Sequence, residues 1–149
     1  MSQLPPGFEN VPLESKNLFQ LGDFTLASGA KSSWKLECDA LTDADWAALA
    51  VMVHQIVGPF SRVYGVPRGG LKLSAALAPL ATAGAYLPLV VDDVFTTGGS
   101  LDRFIASQQL EPCMRCVVFA RGWLPWGTHA VLQMPKELWL KRQKLGPSG

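Results

Sequence analysis

The chain has 149 residues, of which 48% are hydrophobic and 17% are charged, and its formal net charge is +1. This length and composition predict one globular domain with a substantial core. The balanced charge shows neither the basic stripe of a nucleic-acid binder nor an acidic tail, and no apolar stretch approaches the roughly 20 residues of a membrane-spanning helix. Because the N-terminus also lacks a signal-peptide pattern, we expect a cytoplasmic protein with neither nucleic acid nor membrane as partner.

The chain is expected to begin with a loose arm and a hairpin. Residues 1–20 contain several prolines and few periodic apolar positions, which is typical of an arm. Residues 22–36 read as two strands joined by the turn Ser28-Gly29. Trp34 in the second strand fits an ordinary amphipathic edge strand.

A helix is predicted after the hairpin. Thr42 offers a hydroxyl N-cap, the acids that follow it complement the helix dipole, and Gly58-Pro59 ends the helix. His54 lies inside this helix, away from the predicted loops, so we interpret it as structural. The apolar positions at helical spacing, which predict the buried face, are Trp46, Leu49, Val53, Ile56 and Val57.

The next predicted unit is a strand, a glycine loop and a helix. Arg62 to Val66 reads as the strand, Pro67-Arg68-Gly69-Gly70 as the loop, and Leu71 to Leu80 as the helix. In a parallel sheet such a loop emerges at the carboxyl edge, where open α/β folds bind ligands. Arg68 has a charged fork that matches phosphate oxygens, although a surface arginine in an ordinary turn is the alternative.

A second unit of strand, glycine loop and helix is predicted in the centre of the chain, where acids and hydroxyls also follow the strand. Tyr86 to Val91 reads as a buried strand that Asp92 and Asp93 end, and Ser100 is expected to be the N-cap of a helix that runs to Leu110. The hydroxyls and glycines between them can form an anion cradle at the helix N-terminus. A solvated Asp-Asp turn, the alternative, does not explain that order of residues.

The last third continues the alternation. Residues 115–120 and 129–134 are predicted strands, and the loop of Gly, Trp and Pro at 121–126 follows the first of them at the same sheet edge as the other loops. Its tryptophans fit either stacking on a base or packing against the hairpin. The basic tail, residues 136–149, fits a short solvated surface helix.

Three cysteines in a chain without a signal peptide indicate reduced thiols. Cys113 and Cys116 have the spacing C-x-x-C, but they lie in a predicted strand, where positions three apart face opposite sides. The remaining cysteine and the histidines are distant in sequence. We therefore interpret these residues as buried thiols and predict no protein-held metal.

The central motif carries a family resemblance. Val90-Val91-Asp92-Asp93-Val94-Phe95-Thr96-Thr97-Gly98-Gly99-Ser100 resembles the binding loop of the type I phosphoribosyltransferases, whereas the Walker and dinucleotide patterns do not occur. The resemblance implies that Asp92 and Asp93 hold the ribose hydroxyls of phosphoribosyl pyrophosphate. It also implies that the 5'-phosphate is bound by the loop residues Phe95, Thr96, Thr97, Gly98, Gly99 and Ser100. The pyrophosphate, by the same resemblance, is bound by Arg68, Gly69 and Gly70.

The hairpin resembles the orotate branch of this family through Phe24-Thr25-Leu26-Ala27-Ser28-Gly29-Ala30-Lys31-Ser32. In that branch the hairpin forms part of a hood over the base. Ala27 stands where orotate enzymes usually carry a lysine, so the resemblance argues against orotate itself, and Lys31 becomes a candidate substrate-binding residue. A second departure is the interval 81–85, which is too short for the pair of strands that bears the family's flexible basic loop.

The resemblance covers residues 22–134 and implies an α/β fold, with an open, mainly parallel sheet flanked by helices and a small N-terminal hairpin hood. It implies transfer of phosphoribosyl to a small nitrogen base with release of pyrophosphate, and Mg²⁺ held through the pyrophosphate and ribose oxygens. A homodimer is among the assemblies that it allows. The alternative is a non-catalytic regulatory protein that binds phosphoribosyl pyrophosphate or a nucleotide.

Overall fold

The computed structural model describes residues 17–26, 29 and 31–134, so most of the predicted arm and the basic tail lie outside the described residues. The contacts divide the chain into two compact units, residues 1–41 and 42–149. That the whole chain forms one domain stays a prediction. The elements are β1 Phe19–Thr25, β2 Lys31–Leu36, α1 Asp43–Val57, β3 Val63–Gly65, α2 Leu71–Leu77, β4 Leu89–Phe95, α3 Gly99–Gln108, β5 Met114–Ala120 and β6 Thr128–Gln133.

The N-terminal unit contains the predicted antiparallel hairpin. Phe19 of β1 pairs with Leu36 of β2, and Thr25 pairs with Lys31. Because pairing already begins at Phe19, residues 19 and 20, the last two of the predicted arm, belong to β1. The Gly29 N–H donates to the carbonyl of Leu26 at 2.8 Å and closes part of the turn.

Helix α1 begins with a complete capping box. The Thr42 hydroxyl accepts from the Asp45 N–H, and the Asp45 carboxylate accepts from the Thr42 N–H, which confirms the predicted cap. Its buried residues are Trp46, Ala50 and Val53. Ile56 is 41% exposed, so it was wrongly predicted as core, because the small Ala50 and not Ile56 falls on the buried stripe. No helix in the described part of the chain is long and apolar enough to span a bilayer.

The four strands of the larger unit form a parallel sheet in the order β3-β4-β5-β6. Val63 pairs with Leu89, and Leu89 pairs with Met114, so the strands predicted around residues 62–66, 86–92 and 115–120 are adjacent and parallel as expected. Strand β4 begins at Leu89, three residues later than predicted, because Pro88 has no N–H for the ladder. The loops after β3 and β4 therefore share the carboxyl edge.

Helices flank this sheet. Helix α3 buries Leu101 and Ile105 in one cluster with Val90 of β4 and Val117 of β5. Helices α1 and α2 pack against each other, and α2 contacts β3 and β4. Helix α2 ends at Leu77, earlier than predicted, because the chain tightens into a 3₁₀ turn over Ala78–Leu80.

The connection from β5 to β6 has no helix. Residues 121–127 alone join the two parallel strands, whereas such crossovers usually need a dozen or more residues. Because Thr128 pairs with Arg115 near the beginning of β5, the connection runs back to the amino edge of the sheet. The loop leaves β5 at the carboxyl edge, as predicted, but it does not stay there, because Trp126, which is fully exposed, comes two residues before Thr128.

Cys113 and Cys116 are free thiols. Cys116 is buried within β5, and burial raises its pKa to about 12, so the thiol stays protonated at neutral pH. Cys113 lies half-buried before β5, and burial is also the main cause that raises its pKa. Within residues 17–26, 29 and 31–134, no group of three or more His, Cys, Asp or Glu could hold a metal ion.

Candidate functional site

The acidic pair lies within β4 and not after it. Val94 pairs with Phe119 and Phe95 with Ala120, so the strand continues past the acids, and the prediction that they end it is wrong. The Asp92 carboxylate accepts the Asp93 N–H at 2.8 Å, and the Asp93 carboxylate accepts the Val94 N–H at 2.7 Å. These bonds hold both carboxylates close to the backbone.

The two acids differ in burial. Asp92 is only 8% exposed, whereas Asp93 is half-buried. Burial, the largest cause, and the neighbouring Asp93 together raise the pKa of Asp92 from its ordinary 3.8 to about 8. The fold therefore favours the protonated form of Asp92 in the absence of ligand, and a cation placed beside it would favour release of that proton.

The loop after β4 is shaped by glycine. Gly98 has φ +85°, in the left-handed region, and a Cβ there would lie 2.7 Å from the ring of Phe95. Because this turn starts the helix at Gly99, with Gly98 as N-cap, Ser100 is inside the first turn, and its predicted role as N-cap is wrong. Phe95 is buried beneath the loop.

Polar groups surround this turn. The Gly99 N–H donates to the Thr97 hydroxyl at 3.4 Å, a long bond that a stronger acceptor could replace. The amides of Ser100 and Leu101 are in the first helical turn, where no intrahelical acceptor exists. The hydroxyls of Thr97 and Ser100 belong to exposed residues, and Thr96 is half-buried. An anion can be held here by amides, hydroxyls and the helix dipole.

The loop after β3 is shaped by close packing. A Cβ on Gly70 would lie 2.5 Å from the carbonyl oxygen of Val91 and 2.7 Å from the Val66 nitrogen. The Gly70 N–H donates to the carbonyl of Val66 at 2.8 Å. The peptide bond between Pro67 and Arg68 is cis, and the Arg68 residue is exposed. This loop therefore presents a bare backbone and one cation at the carboxyl edge.

The loop after β3 meets the acidic pair of β4 at Gly69. Any side chain at this position would collide with the carboxylate of Asp93, because that carboxylate lies against the Gly69 backbone. The structure thus brings the predicted ribose carboxylate and the predicted pyrophosphate loop to one point.

Lys31 belongs to the other unit. Its ammonium donates to the Thr25 hydroxyl at 2.8 Å within the hairpin. Its predicted contact with substrate stays a prediction, and Ala27, on which the argument against orotate rests, is outside the described residues.

One residue that the sequence reasoning did not include is Arg103. A Cβ on Gly99 would lie 3.0 Å from its Nη1 atom, so the guanidinium reaches back to the loop. The signal was available, because residues four apart on a helix are neighbours and side chains lean toward the N-terminus.

The interval between α2 and β4 is short. After the 3₁₀ turn Ala78–Leu80 the described chain reaches β4 through a loop at residues 81–88, with no strand in that interval. This agrees with the predicted absence of a pair of strands there.

The solved structures that resemble the chain in fold include the following three. The match to orotate phosphoribosyltransferase from Aeropyrum pernix has 23% identity, a TM-score of 0.64, and covers 87% of this chain and 94% of that one. The match to Leishmania donovani UMP synthase has 19% identity and a TM-score of 0.67, and it covers 88% of this chain and 37% of that one. The match to orotate phosphoribosyltransferase from Francisella tularensis has 18% identity and a TM-score of 0.53, and it covers 88% of each chain. No family model and no curated protein matches the sequence.

Proposed function

Because this chain has the type I phosphoribosyltransferase fold, we propose that it binds phosphoribosyl pyrophosphate or a nucleoside 5'-monophosphate and transfers phosphoribosyl to a small nitrogen base. The observation that carries the proposal is the contact between the Asp93 carboxylate and Gly69. A ribose that carries a 5'-phosphate at one end and pyrophosphate at the other needs both loops side by side. The proposed partners are small molecules, and the proposed location is the cytoplasm.

In the proposed reaction the bond between ribose carbon 1 and a pyrophosphate oxygen breaks, its electron pair leaves with pyrophosphate, and a ring nitrogen forms the new bond. Positive charge develops on the ribose during this exchange. Asp92 and Asp93 would hold the ribose hydroxyls and stabilise that charge, while the loop of residues 95–100 fixes the 5'-phosphate. Arg68, Gly69 and Gly70 would bind the leaving pyrophosphate.

The residues of β4 fit Mg²⁺ held mainly by substrate. The ion prefers oxygen ligands and is usually bound through one or two carboxylates together with substrate phosphates. Asp93 offers one carboxylate, Asp92 offers an adjacent one once the cation has favoured release of its proton, and each already accepts a backbone N–H. Mg²⁺ bound there would neutralise charge on the leaving pyrophosphate.

A second candidate function is non-catalytic binding of the same ligands. The observation that favours it is the interval at 81–88, which has no strand pair to carry a closing basic loop. Since a closed site excludes water and adds electrostatic contacts, a contact of this kind often contributes roughly 10²–10³ in rate. Release of pyrophosphate on addition of a base separates the two functions.

Calorimetric titration with phosphoribosyl pyrophosphate and Mg²⁺ tests the proposal. We expect Asp93→Asn to weaken binding by about 1.5–3 kcal/mol, since it removes a charge-assisted hydrogen bond. Arg68→Ala should weaken phosphoribosyl pyrophosphate more than a nucleoside monophosphate, because only the first ligand reaches the pyrophosphate loop. If wild type and Asp93→Asn bind alike, the acidic pair does not hold ribose. If Arg68→Ala weakens both ligands equally, Arg68 is structural.

A further inference from the structure

The guanidinium of Arg103 lies at the loop that is proposed to hold the 5'-phosphate. Arg103 is an exposed residue on α3, four positions after Gly99. A Cβ added to Gly99 would lie 3.0 Å from its Nη1 and 3.7 Å from its Cζ, and 3.6 Å from the Thr97 hydroxyl. The cation, the hydroxyl and the first amides of α3 thus border the same small volume.

No acidic side chain neutralises this cation among the described residues. The nearest acid in sequence, Asp102, pairs with Arg115 at 3.8 Å, and Arg115 also pairs with Glu111. In the part of the chain that the structure describes, Arg103 forms no ion pair or side-chain hydrogen bond. Its positive charge remains available to a ligand.

The position of this charge is unfavourable for the helix alone. The N-terminus of a helix carries the positive end of the macrodipole, so cations there are destabilising and anions are stabilising. Arg103 brings a permanent positive charge back to the first turn at Gly99. An anion in the loop would be attracted both by the positive end of the helix dipole and by the Arg103 guanidinium. Anion binding therefore explains the position of this arginine, whereas helix stability does not.

We propose that Arg103 adds a charged contact to the 5'-phosphate of the ligand, beyond the amides and hydroxyls of the loop. This inference rests on the proposed function, since it concerns the ligand of the same loop. The guanidinium would donate to a non-bridging phosphate oxygen while the loop amides and hydroxyls hold the others. The pyrophosphate would instead contact the loop of Arg68.

The test is calorimetric titration of ribose 5-phosphate and, separately, of pyrophosphate into wild type and variants. Arg103→Ala should weaken ribose 5-phosphate by roughly tenfold or more and change pyrophosphate less than about twofold. Arg103→Lys should recover part of the loss, because it keeps the charge without the planar fork. Arg62→Ala is the matched control, since Arg62 is an exposed arginine at the amino edge of the sheet.

The outcomes separate the two proposals. If wild type binds ribose 5-phosphate and Arg103→Ala binds it equally well, the role of Arg103 is overturned while the proposed function stands. Equal weakening of ribose 5-phosphate and pyrophosphate by Arg103→Ala would also overturn it, because a subsite-specific contact cannot act on both. If wild type binds neither ligand nor phosphoribosyl pyrophosphate, the proposed function fails, and this inference fails with it.

Discussion

Two loops follow neighbouring strands at the carboxyl edge of the sheet, residues 66–70 after β3 and residues 96–98 after β4. In the first, the backbone of Gly70 packs so closely on Val91 that no side chain fits. In the second, a left-handed glycine, hydroxyls and a nearby buried carboxyl set the geometry. The first loop is therefore sensitive to added volume and the second to added or removed charge, although both have the same place in the fold.

The largest effect that separates the loops is expected from Gly70→Ala. The new methyl group would lie 2.5 Å from the carbonyl oxygen of Val91, a backbone atom that cannot rotate away. We expect the free energy of unfolding to fall by about 3 kcal/mol, at the upper end of overpacking costs. Urea denaturation measures it, with Gly69→Ala as the control that should lose less. A loss below 1 kcal/mol, on the order of an ordinary surface change, would contradict the close packing.

The next effect concerns the charge of Asp92. Because its pKa is raised from 3.8 to about 8, the fold holds this proton more tightly than the unfolded chain does. Its contribution to stability is therefore complete below about pH 4, declines as the pH rises and is lost above about pH 8. Asp92→Asn should remove that decline and leave the variant more stable than wild type at pH 8 by at least about 1.4 kcal/mol, the equivalent of one pKa unit.

Urea denaturation at pH 5 and pH 8 measures the difference between wild type and Asp92→Asn. Asp43→Asn is the control, since Asp43 is an exposed acid in the first turn of α1. Parallel pH dependence in wild type and Asp92→Asn would show that the carboxyl is already ionised in the fold.

The smallest effect is expected from Gly69→Ala, at the contact between the first loop and Asp93 of β4. Gly69→Ala should leave most of the fold stability intact but displace the Asp93 carboxylate that lies against it. Binding of phosphoribosyl pyrophosphate should weaken by roughly tenfold, the loss of one charge-assisted contact. In a double-mutant cycle, Asp93→Asn should add little in the Gly69→Ala background, because both changes act on the same carboxylate. Additive losses would mean that the two positions act independently.

Local signals explain what the sequence could predict. The cap at Thr42, the parallel strands and the convergence of the glycine loops all follow from short patterns of residues. The start of α3 was missed by two residues because a left-handed Gly98 can replace a hydroxyl cap, and both kinds of residue are present. The burial of Asp92 was not predicted, since two adjacent acids look alike until packing by the neighbouring strand and helix separates them.

The path from β5 to β6 was also beyond local patterns, and it bears on how the sheet assembles. Arg115 and its partner Thr128 are 13 positions apart in sequence. Leu89 and Met114 are 25 positions apart, and Val63 and Leu89 are 26 positions apart. Each doubling of a flexible loop adds only about 0.6 kcal/mol of closure entropy, but folding rates follow the sequence separation of contacts. We therefore expect β5 and β6 to pair first among the strands of this sheet, and β4 and then β3 to add to that pair.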